Sequence, residues 1–188
     1  MAPVPDIALL AERLRPTLAT HPDGVTASVM FCLREGARGS ELLLCRRATR
    51  DGDPWSGHVG LPGGGVEAAD ADPLATAARE TLEEVGFDPV AAGQVLGVLE
   101  PLRPRTFPIV IAAYVTRIDE PVDLSLSDEI AHAWWTPFAD LEHVAADVPE
   151  SPTRVSAYRL PHAEAQDVVL WGITYRLLDR LLRAATAE

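Results

Sequence analysis

The chain has 188 residues, 47% of them hydrophobic and 23% charged, with a formal net charge of −12 at pH 7. That size and apolar share suit a single domain with a substantial core, and the excess of acid argues against non-specific nucleic-acid binding, which needs a basic face. No apolar run approaches the roughly 20 residues that span a bilayer, and the first 14 residues lack the positive region and cleavage pattern of a signal peptide, so a cytoplasmic protein with no membrane partner is expected.

Residues 7–14 (IALLAERL) have helical periodicity and stop at Arg15-Pro16, giving a helical extension within residues 1–20 that packs rather than reacts. Thr20 to Gly24 reads as a turn. Residues 25–33 and 41–46 are apolar strand-like runs joined by the polar turn 35–40, which predicts a hairpin. Cys32 and Cys45 fall in these strands without metal-ligand spacing, so buried reduced thiols are expected, with a bridge across the hairpin as the alternative. Arg46, Arg47 and Arg50 lead into a turn-rich loop that holds Trp55 and His58. The Trp is a latch on the core or a platform for a ligand ring. The His is a ligand, a base or a hydrogen-bonded structural residue.

Residues 61–65 (LPGGG) should hold no regular element, because proline lacks a donor and glycine lacks a side chain. A helix then starts near Pro73, a residue tolerated in a first helical turn, and ends at Gly86, the residue suited to a left-handed cap. Its last turns carry Arg79, Glu80, Glu83 and Glu84. Glu83 and Glu84 follow Glu80 by three and four residues, so the three carboxylates share one face. Such like-charge pairs cost roughly a few tenths of a kcal/mol each. A solvated acidic face tolerates that, and a hard divalent cation with oxygen ligands relieves it.

Beyond this helix, residues 95–99 form a short strand, 101–108 a loop with Arg103 and Arg105, and 109–116 a strand apolar enough to be buried on both faces. Residues 119–128 are acidic and turn-like, and 130–135 form another strand. A short helix is expected near 139–144, a loop at 148–153 and a strand at 155–160. An amphipathic helix over 167–184 closes the chain. Strands interleaved with helices predict an α/β fold, a mixed central sheet covered on both faces.

The run Arg79-Glu80-Thr81-Leu82-Glu83-Glu84-Val85-Gly86-Phe87, with the glycines upstream, resembles the core of the Nudix box; Thr81 stands where an aliphatic residue is usual. Ala71 occupies the place of a further glutamate of that box. Departure there, with Glu67 and Asp70 after the glycines, is similar to the coenzyme A pyrophosphatase-like branch. Leu43, Leu44, Arg46, Arg47, Ala48 and Gly57 fit that branch's upstream signature, whereas Asp53 and Leu61 depart from it.

The resemblance implies an α/β/α sandwich that hydrolyses a nucleoside diphosphate linked to another group, X, using Mg²⁺ or Mn²⁺. Glu80, Glu83 and Glu84 are the expected metal ligands, with the carbonyl of Gly64 as a further one. Glu83 or Glu129 is the expected proton acceptor, and Arg79, four residues before Glu83, orients that carboxylate. Arg46, Arg47, Trp55, Arg103 and Arg105 are the candidate substrate contacts. Coenzyme A-like and nucleotide-sugar-like substrates lead, followed by ADP-ribose and, more distantly, an oxidised nucleoside triphosphate. A non-catalytic nucleotide sensor is the rival from another class, and an isomerase lacks a cysteine in the box region to support it. Dimers are frequent among relatives, so a homodimer stays open.

Overall fold

The computed structural model describes residues 4–15, 24–52, 55–105, 107–160 and 168–186. The first helix, α1 (Ile7–Arg13), starts at Asp6, whose carboxylate accepts from the N–H groups of Ala8 and Leu9 at 2.9 and 3.2 Å, the usual service of an N-cap aspartate. Strands β1 (Ala27–Gly36) and β2 (Gly39–Arg47) form the expected hairpin, in register from Leu33 opposite Leu42 to Gly36 opposite Gly39. Both strands run longer than their apolar cores, because the polar residues next to the turn still pair. Of the turn at 20–24, only Gly24 lies within the described residues.

Two short strands follow, β3 (Val59–Gly60) against β2 and β4 (Gly63–Gly65) against β1. The glycine run is therefore a strand, contrary to the expectation of no regular element. Glycine permits it here because the backbones come so close: a Cβ on Gly63, whose φ is +145°, would stand 2.4 Å from the Ser28 carbonyl oxygen. After helix α2 (Pro73–Val85), β5 (Gly93–Val98) pairs antiparallel with β6 (Ile111–Ile118), and β6 runs parallel to β1. Strand β7 (Ile130–Pro137) joins the far side of β2, completing a mixed seven-stranded sheet.

The helix expected at 139–144 is replaced by a 3₁₀ turn at Phe138–Asp140 and then β8 (Glu142–Ala146). Here tertiary pairing overrides local helix propensity: β8 lies antiparallel to β9 (Val155–Arg159) in a second, three-stranded sheet completed by β10 (Val169–Leu170). Those last two residues were expected inside the closing helix, which instead spans Gly172–Ala185 as α3; Asp167 lies outside the described residues.

The main sheet is buried on both faces, and strand alternation divides the core in two. Met30, Cys32, Leu43, Cys45, Ala112 and Tyr114 pack on the α2 side with Ala77 and Val85. Phe31, Leu33, Leu42, Leu44, Ala113 and Val115 face the other way, toward Leu10 of α1 and Leu177, Leu178 and Leu181 of α3. The layered α/β/α arrangement follows directly. Cys32 and Cys45 are free and buried, and burial pushes both thiols well above their ordinary range.

Candidate active site

Helix α2 is fixed at both ends. Asp72 accepts from Ala75 N–H at 2.8 Å, Pro73 occupies the first turn, and Gly86 takes φ +87° while donating to the Leu82 carbonyl at 3.0 Å. The acidic segment after β6 docks on the helix's last turn, Ser125 N–H donating to Val85 and Ser127 N–H to Glu84 at 3.0 and 3.1 Å. These bonds satisfy carbonyls that a helix end leaves open. They also bring Glu129 beside Glu80, Glu83 and Glu84, which line one pocket with Glu67, Arg79 and Ser127.

Each carboxylate of that pocket has its own restraint. Glu84 is 5% exposed and accepts from the Gly63 N–H at 3.0 Å, with Arg47 at 3.7 Å. Burial pushes its carboxyl up to about 7, against the opposing pull of the Gly63 N–H; nearby Glu80 adds to the rise and Arg47 reduces it. Glu80 is also raised, first by burial, with Arg79 pulling it down and Glu83 and Glu129 pushing it up. Glu80 lies directly beneath the glycine strand: a Cβ on Gly64 would stand 2.4 Å from its carboxylate.

Arg79 is the hub. Its guanidinium grips Asp70 at two points, 3.0 and 3.1 Å, and one nitrogen donates to both Glu80 and Glu83 at 3.1 Å. Another donates to the Gly65 carbonyl at 3.2 Å. Asp70 also accepts from Thr76 Oγ and Glu67 N–H at 2.8 and 2.9 Å. Hydrogen bonding to Arg79 holds its carboxyl far below the usual carboxylate range. Asp70 is the member of the site whose role sequence reasoning overlooked, although it lies beside the anomalous Ala71.

Glu129 receives Arg50 at 3.2 Å and Arg47 at 3.9 Å, while Arg50 also holds Asp128 at 3.0 Å. Arg50 is a second residue not anticipated at the site, because nothing local marks an arginine 79 positions from its partner.

The donor set suits a hard divalent cation: carboxylate oxygens gathered in one pocket, two of the carboxyls raised by burial and then by their acidic neighbours. As placed, no group of three or more His, Cys, Asp or Glu side chains among the described residues stands ready to hold an ion. One Arg79 nitrogen is shared by Glu80 and Glu83, each of which keeps a second carboxylate oxygen.

Next to this pocket lies a cleft of about 830 Å³ that includes Arg47 and Gly63–Gly65 in its lining. Trp55 and Phe107 stand at it with ring centroids 5.9 Å apart. His58 shares a 3.1 Å contact with Glu150 and meets Trp171 edge-on. Of the five candidate substrate contacts, Arg47 and Trp55 line the cleft. Arg46 donates to the Gly57 carbonyl at 3.3 Å, and Arg103 and Arg105 are exposed on the loop before β6; these three are not among its lining residues.

The NUDIX domain model matches residues 23–157. Nudix hydrolase 22, chloroplastic, of Arabidopsis thaliana is 29% identical over 178 residues, 85% of this chain and 54% of that protein. The mitochondrial coenzyme A diphosphatase NUDT8 of Mus musculus is 28% identical over 184 residues, 93% and 83% of the two chains. Some matches are partial: three curated relatives, the Arabidopsis protein among them, are covered over 35%, 54% and 26% of their own lengths. The crystal structure of a MutT/nudix family protein from Enterococcus faecalis shares the fold, with a TM-score of 0.59 at 21% identity over 87% of this chain and 62% of that one.

Proposed function

The chain belongs to the NUDIX domain family, and on that footing we propose that it is a divalent-metal-dependent pyrophosphohydrolase. Its substrate is a nucleoside diphosphate joined to a group X, of coenzyme A-like or nucleotide-sugar-like kind. Water adds across the P–O–P bridge to give a nucleoside monophosphate and phosphorylated X. The observation that carries this reading is the convergence of Glu80, Glu83, Glu84 and Glu129 on one pocket beside a glycine strand and a ligand-sized cleft. The coenzyme A-like option draws support from the mouse relative, matched over 93% of this chain.

In this reading Glu80, Glu83 and Glu84, with the Gly64 carbonyl, hold Mg²⁺ or Mn²⁺. The ion supplies Lewis acidity toward the diphosphate. Arg79 keeps its double grip on Asp70, which fixes its remaining nitrogen beside one oxygen each of Glu80 and Glu83, so it orients these carboxylates without contacting substrate. Glu129 takes the proton of the attacking water on a carboxylate oxygen, and Glu83 is the other group placed for that task. Arg50 and Arg47 hold the Glu129 side chain in position. The absence of side chains along Gly63–Gly65 lets a diphosphate lie close to the backbone. Arg47 meets a phosphate from the cleft side, and Trp55 offers a ring face at its edge. We leave Arg46, Arg103 and Arg105 out of the substrate set, because none lines the cleft.

We read residues 1–188 as one domain, since α1 and α3 pack into the same core as the sheet. A net charge of −12 supports a small-molecule substrate rather than nucleic acid. Among the described residues no helix is long and apolar enough to cross a membrane, and two free buried thiols support a reducing compartment such as the cytoplasm.

The test is a panel of coenzyme A, ADP-ribose, UDP-glucose, diadenosine polyphosphates and nucleoside triphosphates, each with Mg²⁺ and with Mn²⁺. The expected result is release of a nucleoside monophosphate that stops when the ion is chelated. No turnover of any member would favour a non-catalytic nucleotide sensor.

A further inference from the structure

The cleft beside the glycine strand differs in chemistry from the acidic pocket. Val29, Val59, Ile109, Ile111, Ile173 and Trp171 are among its walls, contributed by β1, β3, the entry to β6, and α3 with the residue before it. Trp55 and Phe107, each 42% exposed, extend this apolar surface. Its polar side chains are few: the Thr26 and Thr174 hydroxyls, Arg47, Arg176 and the His58–Glu150 pair. Arg47 connects the two regions, because it lines the cleft while its guanidinium stands 3.7 Å from Glu84 and 3.9 Å from Glu129.

We propose that this cleft is the subsite for X, and that the X it selects is a largely apolar arm of at least four methylenes rather than a sugar. The inference rests on the pyrophosphohydrolase reading and deepens it. A sugar brings several hydroxyls that must exchange water for protein partners, and aliphatic walls offer none. An alkyl arm loses nothing comparable and gains about fourfold in binding for each methylene taken out of water. A diphosphate held between Arg47 and the glycine strand has the acidic pocket on one side and the cleft on the other, so an arm on its outer phosphate is directed between the aliphatic walls. The His58–Glu150 pair provides one place for a single amide or hydroxyl group along that arm.

The experiment uses the full chain with Mg²⁺ and the ethyl, butyl and hexyl esters of ADP on the terminal phosphate, with ADP-ribose as the sugar-bearing comparison. Water cleaves each ester to AMP and the alkyl phosphate. The expected result is a rise in kcat/KM approaching fourfold per methylene, carried by KM, with the hexyl ester preferred over ADP-ribose by at least tenfold. Ile173→Asn or Ile109→Asn, checked for folding by circular dichroism, should flatten that slope. Turnover with a flat series, or with ADP-ribose preferred, would overturn the subsite while leaving the reaction intact. If neither the esters nor ADP-ribose is turned over, the reaction reading fails, and calorimetry of ethyl and hexyl phosphate binding then decides the cleft by itself. Tighter hexyl phosphate supports it, and equal affinities overturn it.

Discussion

Arg79 and Asp70 form a two-point ion pair, Nε to Oδ1 at 3.0 Å and Nη2 to Oδ2 at 3.1 Å, with the Asp70 side chain only 5% exposed. Because the same guanidinium donates to Glu80 and Glu83, the pair sets where those carboxylates point. Asp70→Asn keeps the shape but removes the charge that anchors the arginine. It should lower metal affinity or kcat by about 10- to 100-fold, read from the Mg²⁺ dependence of the rate.

The same pair sets a pH dependence. Asp70 is held below its ordinary range, so its contribution to stability is complete above the unfolded value of about 4 and is lost as pH falls toward the folded value. Chemical denaturation in chelator should therefore show a constant gap between the wild type and Asp70→Asn above pH 5, and a gap that narrows below pH 4.

Glu84 has the opposite sign. Its carboxyl is raised from 4.5 to about 7, so the stability it favours is fully present below 4.5 and lost as pH rises through about 7, by about 3 kcal/mol in all. Metal-free protein should lose Tm between pH 5 and 8. Glu84→Gln should flatten that fall, and added Mg²⁺ should reverse it in the wild type.

Gly63 and Gly64 should respond differently to alanine. At Gly63 the new Cβ meets the β1 backbone, 2.4 Å from Ser28 O and 2.6 Å from Val29 Cα. At Gly64 it meets the carboxylate end of the Glu80 side chain. Gly63→Ala should cost at least about 2 kcal/mol in denaturant unfolding. Gly64→Ala should remain folded by circular dichroism and lose most of its activity, because Glu80 is displaced.

The box helix was legible in the sequence because its signals are local: Pro73 and Gly86 bound it, and the 3.6-residue period puts Arg79, Glu80, Glu83 and Glu84 together. The two-faced sheet was legible in the apolar runs of β1, β2 and β6. The glycine strand was not, because Gly63–Gly65 pairs by backbone proximity alone and no side chain announces it. Residues 139–144 have ordinary helix formers, and only pairing with β9 makes part of them a strand. Glu129 could be placed by position before a strand, but its approach to α2 depends on main-chain bonds from Ser125 and Ser127. The His58–Glu150 pair spans 92 residues and has no local signal.

The central claim is that the α2 carboxylates support divalent-ion-dependent cleavage of a diphosphate, and Glu83→Gln and Glu84→Gln test it most directly. Steady-state release of nucleoside monophosphate from a diphosphate ester, measured with saturating Mg²⁺ and with folding checked by circular dichroism, should fall by at least about 10³-fold in each variant. Wild-type rates in both folded variants would contradict the account.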